Sequence, residues 1–168
     1  RFQIGEVKVH GNRFFDEEQI IHIGGFEKPQ FFSQAKVSNG RSKIRDKYVE
    51  KGFIHAQVHS EVMVHEEKGS VDCVFRINEN RQGVIKDINI TGKKRTKINT
   101  ISRELSFNLE DTVNFRDIRE SQKKLYDLGI FQRVDVEAVP LEGNGSDEDE
   151  STNRMQQVQN YQIKAHVH

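Results

Sequence analysis

Apolar positions along this chain follow two rhythms, one helical and one alternating, and the change between them falls on glycines. Into KYVEKGFIHAQV (47–58), Ile44, Tyr48 and Lys51 keep helical spacing up to Gly52, and Phe53 and Ile54 then open an alternating strand. KLYDLGIFQRVDV (124–136) repeats the joint: Ile118, Leu125 and Leu128 share a helix face, Gly129 stops the helix, and Ile130 and Phe131 begin the strand. Glycine takes the left-handed conformation that ends a helix at no steric cost. One joint used twice suggests two copies of one small unit.

The elements around each joint agree. In the first copy Val7 and Val9 alternate with Glu6, Lys8 and His10, a half-buried strand closed by a Gly11-Asn12 turn. Asp16 is an N-cap with Gln19 three residues on, Ile20 and Ile23 form the apolar side of the helix, and Gly24-Gly25 ends it. A loop with Pro29 follows, then a second helix over about 34–51, interrupted by Gly40, which costs ~1 kcal/mol relative to Ala. In the next strand Ile54, Ala56, Val58, Val62 and Val64 hold one parity, and His55, Gln57, His59 and Glu61 the other. After a turn at 66–69, Val71, Cys73, Phe75 and Ile77 alternate along a third strand. The second copy starts after 78–83. Ile85, Ile88, Ile90 and Gly92 repeat Ile4, Val7, Val9 and Gly11 at an offset of 81. Thr96 caps a helix with Ile98, Ile101 and Leu105, a second helix spans about 113–128, and strands follow with Val134, Val136 and Ala138, then Tyr161, Ile163, Ala165 and Val167. Each copy is β-α-α-β-β. The expected architecture is α+β: two tandem domains, 1–80 and 81–168, each a three-stranded mixed sheet with two helices on one face.

Between the last two strands, residues 141–154 lack apolar periodicity and hold four consecutive acids at 147–150, the composition of a disordered hairpin tip. Lys plus Arg and Asp plus Glu number 26 each, so no global charge points to nucleic acid or an anionic membrane. With 34% hydrophobic and 31% charged residues, each core is modest. One cysteine, Cys73, excludes a disulfide framework and, by its inward parity, reads as a small core residue. No apolar run approaches the ~20 residues of a membrane-spanning helix, and the stretch from Arg1 does not read as a signal peptide.

Strand–GN–helix, then helix–Y–x3–G-F–strand, then V-x-C-x-F-x-I-x-E resembles the POTRA (polypeptide-transport-associated) domain. Gly11-Asn12, Tyr48 with Gly52-Phe53, and Gly129 with Phe131 carry the likeness. The first copy is similar to a penultimate POTRA domain. The second, with LYDLGIFQRVDV, resembles the last one before the membrane barrel in BamA-type outer-membrane assembly proteins. Gly92-Lys93 departs from the second G-N, Glu79-Asn80 stands where E-G is usual, and Gly40 takes a position normally apolar.

Candidate chemistry is sparse. His55 and His59, read on one strand face, would lie ~13 Å apart, too far for one metal bound at ~2 Å to each. His166 and His168 are two apart near the end of the chain, and the acids at 147–150 lack the ligand spacing of a calcium loop. The basic cluster Lys93, Lys94, Arg95 and Lys97 reads as a solvated turn or a surface facing a partner or lipid. A KH-like RNA-binding module shares β-α-α-β but clamps RNA with a Gly-x-x-Gly loop, and none occurs between 105 and 115. No catalytic triad, phosphate loop or cofactor fingerprint is present, so neither enzyme chemistry nor a cofactor is expected.

The resemblance implies a periplasmic segment of an outer-membrane protein. Its implied partners are unfolded β-barrel precursors, accessory assembly lipoproteins, adjoining POTRA domains and a C-terminal barrel, with no nucleic acid among them. The related alternative is the POTRA segment of a two-partner-type polypeptide secretion transporter. The resemblance also suggests that the second strand of the first domain is a sheet edge. Pairing of an extended peptide with that edge then involves Ile54, His55, Ala56, Gln57, Val58, His59, Ser60, Glu61 and Val62.

Overall fold

The computed structural model of the chain describes residues 2–27, 29–92, 98–141 and 158–167. The chain divides into two compact units, Arg1–Val49 with His55–Asn80, and Glu50–Ile54 with Arg81–His168. In the first unit β1 (Gln3–His10), α1 (Glu17–Gly24), α2 (Gln34–Glu50), β2 (Gln57–His65) and β3 (Ser70–Asn78) follow in order, with a single 3-10 turn, Glu66–Lys68, between the last two strands. The second unit repeats this as β4 (Gln82–Gly92), α3 (Ile98–Glu104), α4 (Phe115–Asp127), β5 (Val134–Pro140) and β6 (Val158–Val167). Strand order is β1-β3-β2 and β4-β6-β5, the third strand of each copy running parallel to the first and antiparallel to the second. These are the two mixed α+β sheets expected.

The recurrent spacing Ile4, Val7, Val9 and Ile85, Ile88, Ile90 has a physical origin. A flat strand would put residues three apart on opposite faces. Each first strand carries a register irregularity at this point, between Ile4 and Val7 and between Ile85 and Asp87. The bulge restores both apolar residues to the inner face, opposite Val71 and Cys73 or Tyr161 and Ile163. The glycines that follow also match. A Cβ on Gly11 would strike the carbonyl of Ile77, and one on Gly92 that of Val167.

In the first unit Ile20 of α1, Val37, Ile44 and Tyr48 of α2, and Val9, Val58, Val71, Cys73, Phe75 and Ile77 of the sheet are buried. Burial pushes the Cys73 thiol up, and its neighbour Asp72 adds to this. Asp16 caps α1 as its spacing predicts: its Oδ1 accepts from Gln19 N–H at 2.7 Å, and Gln19 Oε1 accepts from Asp16 N–H at 3.1 Å. The second core gathers Ile85, Ile101, Phe107, Val113, Ile118, Leu125, Val134, Val136, Tyr161, Ile163, Ala165 and Val167.

The carboxylate of Glu79, just beyond β3 and only 8% exposed, is a structural anchor. Its Oε1 accepts from Arg13 N–H at 2.7 Å, from Phe14 N–H at 2.9 Å and from the Tyr48 hydroxyl at 2.8 Å. Burial, then this bond and the carboxylate's charge, hold the Tyr48 hydroxyl far above the ordinary tyrosine range, so it stays a donor. The next residue, Asn80, has φ 55°, which accounts for the glycine usual at that point in the resemblance.

Three expectations require correction. The strand after Gly129 begins at Val134, not at Ile130 or Phe131, which lie in the connection before it. The strand after Gly52 begins at Gln57, not at Phe53 or Ile54: Ile54, His55 and Ala56 form a turn and its exit. The His55 carbonyl accepts from the Asn80 side chain at 2.8 Å, a bond to a side chain where a strand would have a ladder bond. His55 and His59 therefore do not share a strand face. The basic residues Lys93, Lys94, Arg95 and Lys97, the Thr96 cap, the acidic stretch after Leu141 and His168 lie outside the described residues.

Gly40 is a packing requirement. A Cβ there would lie 2.5 Å from two ring carbons of Phe26 and 3.0 Å from the Gly24 carbonyl oxygen. That ring is also held against Gly24 and packs 5.3 Å, centroid to centroid, from Phe75. Gly40→Ala gains about 1 kcal/mol of helix propensity and incurs overpacking of about 1–3 kcal/mol. The expected result is a lower melting temperature by circular dichroism; a rise would show that the ring yields without cost.

Candidate functional site

In a three-stranded sheet each outer strand leaves one flank of peptide groups without a ladder partner. In both units the connection between the two helices seals the beginning of the first strand's free flank. Gln3 bridges Phe31, Ile4 N–H donates to Gln30 O at 2.8 Å, and Phe32 N–H donates to Phe2 O at 2.9 Å. In the second unit Val84 bridges Thr112, Ile85 N–H donates to Asp111 O at 2.9 Å, and Val113 N–H donates to Gly83 O at 2.9 Å. The other outer strands are β2 and β5.

These two edges differ. β5 has seven residues, carries Asp135 and Glu137, and ends in Pro140, which has no amide to offer. Its Val134 carbonyl already accepts from Gln122 Nε2 at 2.8 Å. β2 has nine residues, QVHSEVMVH, with no proline and no lysine. Its pairing with β3 is unbroken from Gln57 opposite Asn78 to His65 opposite Ser70, so no bulge interrupts its edge. Among the described residues no further strand pairs with β2.

Register assigns the side chains of β2 to two faces. Val58, Ser60, Val62 and Val64 stand opposite buried Ile77, Phe75, Cys73 and Val71, on the helix side. Gln57, His59, Glu61, Met63 and His65 lie on the other face. The alternation predicts that Val62 and Val64 are inward. They do point to the helix side, yet they are 37% and 53% exposed, and Met63 is 50% exposed. The last third of the edge is thus apolar on both faces and open. On the polar face Glu61 pairs with Arg76 Nε at 3.1 Å, and His65 Nε2 meets Asp72 Oδ2 at 2.8 Å.

Of the residues expected at the edge, Gln57, Val58, His59, Ser60, Glu61 and Val62 lie on β2, and Ile54, His55 and Ala56 precede it. Met63, Val64 and His65 extend the strand beyond the expected set. Met63 at an outward parity position was the available signal for this apolar end. Among the described residues no three His, Cys, Asp or Glu side chains form a metal-holding group, and no helix is long and apolar enough to cross a membrane.

Comparison with known proteins bears on this geometry. The family model POTRA, described as a surface antigen variable number repeat, matches residues 2–80 and again 83–158. The outer membrane protein assembly factor BamA of Neisseria meningitidis serogroup B is 22% identical over 144 residues, covering 85% of this chain and 18% of that protein. The factor of the same name from Nitratidesulfovibrio vulgaris is 20% identical over 146 residues, covering 84% and 18%. The chain thus spans under a fifth of the length of these curated relatives. Among solved structures, BamA from Haemophilus ducreyi lacking POTRA domains 1–3 aligns with a TM-score of 0.70 at 15% identity, over 99% of this chain and 30% of that one. The Haemophilus influenzae BamA POTRA3-5 structure gives 0.61 at 14% identity, over 99% and 61%.

Asp72 ties the far end of the edge to the β1 bulge. Its Oδ1 accepts from Glu6 N–H at 2.8 Å, which, with the facing His65 and Lys8, holds its carboxyl below the usual carboxylate range. A depressed folded-state value gives stability that is present above the unfolded value, ~3.9, and lost as pH falls through the folded one. The difference in urea midpoint between wild type and Asp72→Asn should therefore be constant above about pH 5 and narrow below about pH 4. A difference unchanged at lower pH would contradict this role.

Proposed function

This chain belongs to the POTRA family, and on that premise we propose that it is a periplasmic segment of an outer-membrane β-barrel assembly protein, made of two domains, 1–80 and 81–168, that acts as a binding scaffold. Its clients are unfolded barrel precursors, received on the β2 edge by β-augmentation. The observation that carries this reading is the unsealed nine-residue edge with alternating side chains and an exposed apolar end at Val62, Met63 and Val64. Backbone hydrogen bonds supply affinity that tolerates sequence change, which suits clients sharing little beyond alternation. Membrane strands alternate apolar and polar residues with period two. Such a segment, laid beside β2, sets its apolar side chains against Val58, Val62 and Val64 and its polar ones against Gln57, His59 and Glu61. The names of the curated relatives support the outer-membrane assembly setting. Accessory lipoproteins and a barrel C-terminal to this segment are the remaining proposed partners.

Along a strand, successive amides point to opposite flanks, so of His59→Pro and Ser60→Pro one removes a ladder bond to β3 and the other only an outward donor. The variant that keeps its native circular dichroism should bind a fluorescent, alternating barrel-strand peptide about tenfold more weakly. Val64→Lys, at an exposed position, should also weaken binding without unfolding the chain. Unchanged affinity in a folded proline variant and in Val64→Lys would remove β2 from the binding site.

A further inference from the structure

The side chains on the open edge of β2 are complementary to a second copy of themselves. We propose that two copies of this chain associate through β2, antiparallel and centred on Ser60. An antiparallel pairing about that point sets Val58 of each copy opposite Val62 of the other and His59 opposite Glu61, each contact occurring twice. Gln57 falls opposite Met63, so the seven positions from Gln57 to Met63 all lie within the observed strand. Directly opposite residues share a sheet face. The valine pairs therefore fall on the helix side and the imidazole–carboxylate pairs on the other, as the register with β3 requires.

Neighbouring alignments lack this match. Centring on Glu61 brings two carboxylates face to face, and centring on His59 does the same for two imidazoles. A one-residue slip sets Val62 against His59 and mixes the apolar and polar faces. Glu61 can serve both partners, since its carboxylate pairs with Arg76 of its own copy at 3.1 Å and retains further lone-pair sites. His59 stands opposite Arg76 in the β2–β3 register, so both members of the new pair lie beside that guanidinium.

The arrangement closes on itself. A two-fold axis normal to the sheet keeps both helix layers on one face and yields a six-stranded sheet. Its outer strands are the two β1 strands, whose flanks are sealed at Gln3 and Ile4 by residues 30–32. With both β2 edges used, association through this edge stops at two copies. The inference uses the edge assigned above to clients but goes beyond that reading: the second copy and an extended client exclude one another.

Sedimentation of the 168-residue chain across micromolar to millimolar concentration tests it, with circular dichroism reporting the fold. Wild type should show a concentration-dependent dimer. Glu61→Lys and His59→Glu each oppose like or unmatched groups at two symmetric places and should weaken it about tenfold. Both side chains point away from the helices, so the fold should persist. The double variant H59E/E61K should recover the dimer, because each introduced glutamate then faces an introduced lysine. An equimolar mixture of the two single variants should form a heterodimer for the same reason. A monomeric wild type, a dimer indifferent to both single changes, or a folded double variant that stays monomeric would overturn the inference. A monomeric chain that still binds barrel-strand peptide overturns this inference alone and leaves the client reading standing.

Discussion

Backbone groups at the flank of a sheet must find partners or remain in water, and how this chain disposes of four such flanks organises both units. The third strand of each copy takes the centre and pairs on both sides. The first strand of each is covered at its beginning by the chain's own helix–helix connection, at residues 30–32 and 110–113. The flank of β5 is shortened by Pro140 and partly used by Gln122. Among the described residues, β2 presents a nine-residue, proline-free flank on a strand whose register with β3 is unbroken. Glu79 supports it indirectly: by accepting from two amides of the β1–α1 turn and from Tyr48, it fixes the end of β3 against which β2 is registered.

Much of this was legible in the residues. The capping box at Asp16 and Gln19, the alternation of Val71 to Ile77 and of Tyr161 to Val167, and the glycine joints at Gly52 and Gly129 each reflect a local rule, and local rules survive folding. The bulge was visible as a recurring spacing, since three-residue steps between apolar residues appear in both first strands at the same place. Its meaning needed the partner strand.

What the residues did not disclose depends on distant neighbours. Gly40 reads as a defect until Phe26 is seen to occupy the space its side chain would need. Glu79 looks like a polar strand end, but its carboxylate is buried against amides 65 and 66 positions away. Val62 and Val64 follow inward parity correctly, yet parity reports direction and not cover, so their exposure could not be read from it. Ile54 and Ala56 continue the alternation of β2 although the strand starts only at Gln57, because the His55 carbonyl bonds to the Asn80 side chain in place of a strand. Strand order came from the family resemblance alone: alternation describes faces, not neighbours.

The central claim is that β2 is a strand awaiting another strand, and amide hydrogen exchange tests it most directly. In the free chain, exchange along Gln57–Val64 should alternate residue by residue, slow where the amide bonds to β3 and fast where it points outward. Adding an alternating barrel-strand peptide should slow only the fast set, in that same alternating order, and leave β5 unchanged. Protection that appears on β5 or on the helices while the outward amides of β2 continue to exchange freely would contradict the account.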